Sequence, residues 1–249
     1  MKAHWINQGM SAKRFEWLAQ DDQDGTFEAL LAEPNFMYIW WLQKAVAVAN
    51  RVARVKFPNG SATGFLVGKD LFMTNHHVFE TAEDAKRAVL QFNYRILPNG
   101  ERDEVDAWEC DTSFFHANEE LDYAIVKVKP KQNKLAGEKF GHFDLNELGW
   151  VKVGARVNII QHPRGRFQEI AFRDNQVKAM SNHYVQYLTD TQKGSSGSPV
   201  FDDWFRLVAI HSQAVRDPRN PNKYYRNQGF LMEEIVKDLQ PKLESYQIS

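Results

Sequence analysis

From residue 51 onward, short runs of apolar and β-branched residues alternate with turn-forming tripeptides, and this alternation constrains the fold more than any other feature. Pro58-Asn59-Gly60 and Pro98-Asn99-Gly100 are two of the turns. The runs predict strands at 51–57, 63–68, 88–94, 105–110, 123–128, 156–161, 167–172, 176–180, 184–189, 200–201, 207–211 and 228–232. Most of the chain is therefore expected to be all-β.

The two ends of the chain depart from this pattern. Residues 27–31 and 37–48 have helical content and few strand signals, with Pro34 and Asn35 as a break between them. Residues 233–243 have the pattern of a closing helix. We therefore expect a mainly helical extension over residues 1–50 and a C-terminal helix after the last strand.

Size and charge narrow the classes of function. The 249 residues are 43% hydrophobic and 13% aromatic, which is ample for a sizeable core. The formal net charge is −1 and opposite charges are interspersed, so neither nucleic acid nor an anionic membrane is an expected partner. No His, Cys and carboxylate cluster has zinc-ligand spacing, and no glycine-rich phosphate loop precedes a helix. Neither a metal nor a nucleotide cofactor is therefore expected.

Two features favour a cytoplasmic protein. The start Met1 to Trp5 lacks an apolar signal core, and the longest apolar stretch, 36–48, is short and carries Gln43 and Lys44. Cys110 is the only cysteine, so no internal disulfide can form, whereas secreted proteins often carry disulfides. We expect Cys110 to be a buried or idle thiol.

The segment Gly194-Ser195-Ser196-Gly197-Ser198-Pro199 places serine hydroxyls between small residues that let the backbone turn sharply and a substrate approach. Such a loop suits a nucleophile, although ordinary Gly/Ser turns have the same composition. A nucleophilic serine needs a base, and the base needs a group that orients it. The interpretation therefore depends on the rest of the chain.

Candidates for both groups are present. Thr74-Asn75-His76-His77-Val78 follows a β-prone run, which predicts histidines at the end of a buried strand. Asp122 begins the apolar run 123–128, where a carboxylate is costly to bury unless it accepts hydrogen bonds. An imidazole N–H is a suitable donor. The chain thus offers His, then Asp, then Ser.

At these residues the sequence resembles the chymotrypsin-like serine peptidases, and within them the bacterial trypsin-like branch that includes the glutamyl endopeptidases. Thr74 to Val78 is similar to the family's Thr-x-x-His block. Asp122-Tyr123-Ala124-Ile125 is similar to its Asp-hydrophobic-Ala-Leu/Ile block, and the loop 194–199 to its Gly-x-Ser-Gly-Ser/Gly-Pro block. Three motifs in the family's order make coincidence a poor explanation, and the resemblance extends over residues 51–239.

The resemblance implies a two-barrel fold and a serine endopeptidase. The expected divisions are an N-terminal extension at 1–50 and a peptidase domain at 51–249, with barrel one at 51–129, a connection at 130–150, barrel two at 151–232 and the closing helix at 233–243. His162-Pro163-Arg164-Gly165 resembles a turn common in the bacterial branch and is interpreted as structural.

Roles follow from the matching positions. The resemblance implies that Ser196 is the nucleophile, His77 the general base and then acid, and Asp122 the group that fixes the imidazole tautomer. The backbone N–H groups of Gly194 and Ser196 would form the oxyanion hole. Glycine at 194 would suit an N–H that must turn toward the substrate.

Neighbouring residues of the same type are expected to have other roles. Successive strand residues point to opposite faces, so only one of His76 and His77 is expected to meet the serine, and the motif selects His77. His76 is then a structural or surface histidine. Ser195 and Ser198 lie at the wrong positions of the motif for a nucleophile.

The resemblance also implies a primary specificity (S1) pocket, but two interpretations remain open. Asp190, six residues before the nucleophile, is at the family's pocket floor, where a carboxylate would favour a basic P1 residue. Thr191 and His211, with Ser212 beside it, instead resemble the pocket of glutamyl endopeptidases. Asp190 would then be neutralised internally. We expect a polar or charged P1, with acidic or amide slightly ahead of basic.

Ser195 occupies the position at which pancreatic zymogens carry an aspartate that pairs with a freed N-terminus. That switch is therefore excluded, and residues 1–50 are the candidate for control. Their aromatic residues either pack on the barrel or dock a regulatory protein partner. Two functions remain open: an active endopeptidase on protein or peptide substrates, or a protease-like scaffold that binds peptides without turnover.

Overall fold

Two β-structures make up most of the described chain, which is residues 37–248 of a computed structural model. The first is a closed barrel in the order β1-β2-β3-β6-β5-β4. Its strands are β1 (Val52–Phe57), β2 (Gly60–Leu66), β3 (Leu71–Thr74), β4 (Val89–Phe92), β5 (Asp106–Asn118) and β6 (Tyr123–Val128). Antiparallel pairing of β1 with β4 closes it. Phe72, Leu90 and Trp108 are buried in one of its clusters.

The second structure is a seven-stranded sheet in the order β8-β7-β11-β12-β13-β10-β9. Its strands are β7 (Asn158–Gln161), β8 (Glu169–Ala171), β9 (Val177–Met180), β10 (Tyr184–Tyr187), β11 (Pro199–Phe201), β12 (Leu207–Asp217) and β13 (Asn220–Leu231). The N–H of Val157 donates to the carbonyl of Asn175, and the N–H of Val177 to that of Ala155. These bonds connect the start of β9 to the segment before β7, so the sheet curls round on itself.

Four helices accompany the strands in the described part of the chain. They are α1 (Ile39–Ala49), α2 (Ala82–Arg87), α3 (Ala136–Phe140) and α4 (Met232–Ile248), and a 3₁₀ turn covers Pro163–Gly165. Trp41 and Val48 of α1 and Ile235 and Leu239 of α4 are buried in one cluster with residues of both β-structures. Between residues 37 and 248, no helix has the length and apolar content to span a bilayer.

The expected all-β fold with a C-terminal helix is confirmed, and each predicted strand overlaps an observed one. The helix expected at 37–48 is present as α1, whereas the one expected at 27–31 lies outside the described residues. The predicted division of the chain at residue 50 stays a prediction.

The sequence pattern missed helices α2 and α3 and the far half of the β12–β13 hairpin. Residues 213–227 of that hairpin are mostly exposed on both faces, so they lack the apolar alternation that marks a half-buried strand. Helix α2 has only six residues, but its start carries a capping box: the hydroxyl of Thr81 accepts from the N–H of Asp84, whose carboxylate accepts from the N–H of Thr81.

Candidate active site

Three loops carry the residues that the sequence singled out. His77 lies in the loop after β3, Asp122 in the turn before β6, and Ser196 in the loop before β11. Strands β3 and β6 are antiparallel neighbours in which Thr74 pairs with Ala124. The end of β3 therefore lies beside the start of β6, and this pairing brings His77 next to Asp122.

The imidazole of His77 is hydrogen-bonded to the carboxylate of Asp122. Its Nδ1 lies 3.0 Å from each carboxylate oxygen, and the His77 backbone N–H donates to Oδ1 at 3.1 Å. The hydroxyl of Ser212 donates to Oδ2 at 2.6 Å. Asp122 itself has a φ of +44°, and the side-chain amide of Asn75 donates to its carbonyl at 2.8 Å. These contacts fix the carboxylate and, through it, the ring.

The electrostatics of this pair determine which ring nitrogen is basic. Burial alone would raise the pKa of Asp122, but the hydrogen bond and charge of His77 and the hydroxyl of Ser212 outweigh it and lower the pKa below its ordinary value. An ionised carboxylate favours the tautomer that carries its proton on Nδ1, so Nε2 becomes the basic nitrogen. The side chain of His77 is 45% exposed and lines an open cleft of about 840 Å³, where a substrate can reach it.

The two adjacent histidines lie in a turn and not in a strand. We expected strand alternation to separate His76 from His77. That reason is wrong, because neither histidine lies in a strand. The chain leaves the strand because the N–H of Phe79 donates to the carbonyl of Asn75, which closes a turn. Both rings line the cleft, and the contact with Asp122 distinguishes His77.

The three serines of the loop before β11 differ in exposure. Ser195 and Ser198 are fully buried, whereas Ser196 is partly exposed. The hydroxyl of Ser195 accepts from the backbone N–H of Gln192 at 3.1 Å, and the carbonyl of Ser196 accepts from the N–H of Thr63 at 2.9 Å. Of these serines, Ser196 is the one that solvent reaches.

Strand β12 connects this loop to the histidine–aspartate pair. The N–H of Gly197 donates to the carbonyl of His211, and the N–H of His211 donates to the carbonyl of Ser198, both at 2.9 Å. The next residue along β12 is Ser212, whose hydroxyl reaches Asp122. His211 and Ser212, which are successive residues of β12, therefore fix the positions of the serine loop and the Asp122 carboxylate relative to each other.

Two glycines in the loop have backbones that other residues rarely adopt. Gly194 has a φ of +98° and Gly197 a φ of +83°. A Cβ at Gly194 would lie 2.9 Å from the carbonyl oxygen of His162, and one at Gly197 would clash with the carbonyl oxygen of Thr63. The sharp turn around Ser196 therefore requires glycine at both positions.

Comparison with known proteins identifies the family of this fold and site. Residues 62–210, a stretch that includes His77, Asp122 and Ser196, match the trypsin-like peptidase domain. The chain belongs to the trypsin-like peptidase family.

Its relatives agree with this membership. An uncharacterized protein of Sinorhizobium fredii, y4fB, is 29% identical over 212 residues, which cover 78% of this chain and 32% of the relative. A glutamyl endopeptidase of Staphylococcus aureus is 26% identical over 199 residues, which cover 77% of this chain and 57% of the relative. The chain therefore spans about a third of the first relative and somewhat over half of the second.

Solved structures of serine proteases share the fold. A Glu endopeptidase in complex with MPD superposes with a TM-score of 0.57 at 17% identity, covering 79% of this chain and 91% of that one. A serine endoprotease from Yersinia pestis gives a TM-score of 0.59 at 15% identity, covering 84% and 68%. The expected chymotrypsin-like architecture is thus confirmed.

The residues predicted for the S1 pocket of this peptidase domain lie in different environments. The side chain of Asp190 is exposed, while its carbonyl accepts from the amide of Gln161 at 2.9 Å. The hydroxyl of Thr191 donates to the side-chain oxygen of Asn227 at 2.8 Å. The hydroxyl of Ser212 donates to Asp122, and Ser212 lines the same cleft as His77. The assignment of these residues to S1 stays a prediction.

His211, the fourth predicted pocket residue, is buried. Its Nδ1 lies 2.9 Å from the hydroxyl of Tyr187. Burial, reinforced by the nearby charge of His77, lowers its pKa to about 3, so the ring is neutral at neutral pH. A neutral imidazole presents a dipole and no net charge.

Sequence reasoning missed several residues that organise this site. Asn75, Asn227 and Tyr187 contact predicted site residues through side chains 24 to 47 positions away. Asn75 stands inside the Thr-x-x-His motif, two positions before His77, and this position was a signal that could have marked it. No comparable local signal marks Asn227 or Tyr187.

Proposed function

We propose that this protein is a serine endopeptidase that works through an acyl-enzyme. The observation that carries the proposal is the His77 imidazole, bonded through Nδ1 to an ionised Asp122 and exposed to the cleft at its other face. Family membership adds a protein or peptide as the substrate class. Ser196 is the proposed nucleophile because it is the partly exposed serine of the loop that β12 ties to this pair.

In the proposed reaction, Nε2 of His77 takes the hydroxyl proton of Ser196 as Oγ attacks the scissile carbonyl carbon. The backbone N–H groups of Gly194 and Ser196 stabilise the resulting oxyanion. The C–N bond then breaks, and the departing amine receives the proton from Nε2. Water repeats the sequence on the acyl-enzyme: its proton passes to Nε2, the ester bond breaks, and Oγ of Ser196 regains the proton.

Asp122 stabilises the imidazolium that forms in each half of this cycle. Its lowered pKa keeps it ionised at neutral pH, so it accepts from Nδ1–H without taking the proton. The Ser212 hydroxyl donates a hydrogen bond to one carboxylate oxygen and so limits rotation of the carboxylate group. The carboxylate thus raises the rate of peptide hydrolysis indirectly, because it orients the His77 ring and stabilises the positive charge that forms on it.

For the substrate, we propose a polar or charged P1 residue, with acidic or amide ahead of basic. The exposed position of Asp190 argues against a buried carboxylate floor, and the buried, neutral His211 suits a hydrogen-bonded side chain. Relatives named glutamyl endopeptidases point the same way. Cleavage of a peptide library tests this, and a preference for small apolar P1 residues would contradict both the acidic and the basic versions.

We further propose an intracellular setting and control by a partner through residues 1–50. Cys110 is buried and burial raises the pKa of its thiol to about 12, so it is unreactive and forms no disulfide. Because Trp41 and Val48 of α1 belong to the core, the informative truncation removes residues 1–36 and stops there. Unchanged activity and assembly in that truncation would remove the regulatory proposal.

A fluorophosphonate probe tests the catalytic proposal directly, because it reacts with activated serines. Labelling is expected in the wild type, in Ser198→Ala and in His76→Ala, and is expected to be lost in Ser196→Ala and His77→Ala. Circular dichroism checks that each variant is folded. A folded wild type that is not labelled would instead indicate a peptide-binding scaffold or a latent enzyme.

A further inference from the structure

Two successive carbonyl groups next to the proposed nucleophile are held from different parts of the fold. The carbonyl of Lys193 accepts from the backbone N–H of Arg164 at 2.6 Å. The carbonyl of Gly194 accepts from the hydroxyl of Thr63 at 2.9 Å. Thr63 lies in β2 of the barrel, and Arg164 lies in the 3₁₀ turn that follows β7 of the second sheet.

The first of these bonds determines the direction of a proposed oxyanion-hole donor. In a planar trans peptide the N–H points opposite to the C=O, so anchoring the Lys193 carbonyl on Arg164 directs the Gly194 N–H away from the 162–165 turn. The two residues are the centre of a four-residue turn, closed by the Ser195 N–H on the Gln192 carbonyl at 2.9 Å. The central peptide of such a turn has two orientations, type I and type II, and the positive φ of Gly194 is that of type II.

Thr63 connects this turn to its surroundings through every polar group it has. Its hydroxyl accepts from the N–H of His162 at 3.0 Å while donating to Gly194. Its N–H donates to the carbonyl of Ser196 at 2.9 Å, and its carbonyl accepts from the hydroxyl of Thr74 at 2.8 Å. The residue is fully buried, so water cannot replace these bonds.

The 162–165 turn has an unusual backbone, which directs the N–H of Arg164 at this loop. Arg164 has a φ of +54°, which a residue with a Cβ rarely adopts, and Gly165 has a φ of +65°. The Arg164 side chain is exposed, so its backbone and not its guanidinium faces the loop. This is the turn interpreted from the sequence as structural, and its contacts add a specific function.

We propose that the 162–165 turn, through the N–H of Arg164, locks the Lys193–Gly194 peptide in the orientation the oxyanion hole needs. Thr63 is the positioning residue that supports this lock, because its hydroxyl holds both the turn, at the His162 N–H, and the following peptide, at the Gly194 carbonyl. This inference rests on the proposed endopeptidase function and deepens it. Ser195 stands where related zymogens carry a switching aspartate, and its hydroxyl makes a local bond to Gln192. Thr63 and Arg164 therefore hold this part of the loop without a contribution from such an aspartate.

The decisive experiment replaces Thr63 by valine, which has nearly the same shape but no hydroxyl. We expect kcat to fall about 10²-fold, the scale of losing one oxyanion donor, with KM changed by less than about threefold. Thr63→Ser should restore most of kcat, because it keeps the hydroxyl. Thr63→Ala gives a second variant without the hydroxyl if valine is not accommodated.

A matched control separates positioning from a general loss of stability. Val128→Ala removes buried methyl groups from the barrel core away from the cleft, so it should lower the unfolding midpoint while kcat stays at the wild-type level. A folded Thr63→Val with wild-type kcat would overturn the positioning role and leave the endopeptidase intact. Equal losses in Thr63→Ser and Thr63→Val would also overturn it. A folded wild type that neither hydrolyses peptides nor reacts with the fluorophosphonate would overturn the function and, with it, this inference.

Discussion

The barrel and the second sheet contribute to the site in different ways. The barrel supplies His77 and Asp122, which are held by side-chain hydrogen bonds to one another and to Ser212 and Asn75. The second sheet supplies the Ser196 loop, which is held mainly by backbone groups. The first region therefore depends on the chemistry of its side chains, and the second on backbone conformations that glycine allows.

The largest effect that would test this comparison comes from Asp122→Asn in the barrel half. The amide is nearly isosteric, but it is neutral and offers an N–H where His77 needs an acceptor, so the wrong tautomer is favoured. We expect kcat to fall about 10⁴-fold while the unfolding midpoint changes little. Steady-state kinetics and thermal denaturation on the same preparation measure both.

Glu119→Gln, in the same turn and exposed to the cleft, is the matched control for Asp122→Asn. It neutralises a neighbouring carboxylate that makes no side-chain contact with His77, and kcat should stay within about threefold of the wild type. If Asp122→Asn kept a kcat within the same threefold range, the barrel half of the site would not depend on side-chain chemistry as stated above.

In the second-sheet half, Gly197→Ala should act through the backbone. The methyl group combines a strained positive φ with a clash against the carbonyl of Thr63, and together these should lower the free energy of unfolding by roughly 3 kcal/mol. Gly60→Ala is the control, since no atom lies near its Cβ position. Urea unfolding curves give both values, and equal stabilities for the two variants would contradict the proposed dependence on backbone.

The smallest effect, counted for one residue and one pH unit, concerns two buried histidines of the second half. Burial lowers the pKa of His162 to about 4 and of His211 to about 3, against an ordinary value of 6.5. The unfolded chain therefore binds protons below pH 6.5 that the folded chain does not. Stability should be full above that pH and fall by about 1 kcal/mol per pH unit for each histidine down to about pH 4.

Replacing one histidine isolates its share of this pH dependence. In His162→Gln, the slope of unfolding free energy against pH between 6 and 4 should decrease by about 1 kcal/mol per unit. His183→Gln is the control, because that ring is exposed. An unchanged slope in the His162 variant would mean that the buried ring already takes up a proton in the folded state.

Much of the fold could be predicted from local pattern, because some strands alternate in burial while β6, buried along nearly its whole length, forms an almost continuous apolar run. Val89–Phe92 alternates between half-buried and buried positions, as its sequence suggests. The far half of the β12–β13 hairpin escaped prediction because neither face is buried and its pairing depends on the partner strand. The turn that contains both histidines was mistaken for the end of a strand. The backbone bond that closes it, from the N–H of Phe79 to the carbonyl of Asn75, cannot be recognised from residue composition.

The sequence by itself determined most of the strand positions, the family and the three candidate residues His77, Asp122 and Ser196, because each of these residues stands in a short contiguous motif. Only the tertiary structure decided how those motifs are held. Ser212 lies 90 positions from Asp122, and Thr63 lies 131 from Gly194, yet each pair is hydrogen-bonded. Such contacts arise when strand pairing and core packing bring distant segments together, and a buried hydroxyl then has to find a partner. The identity of that partner cannot be predicted from the residues that neighbour the hydroxyl in the sequence.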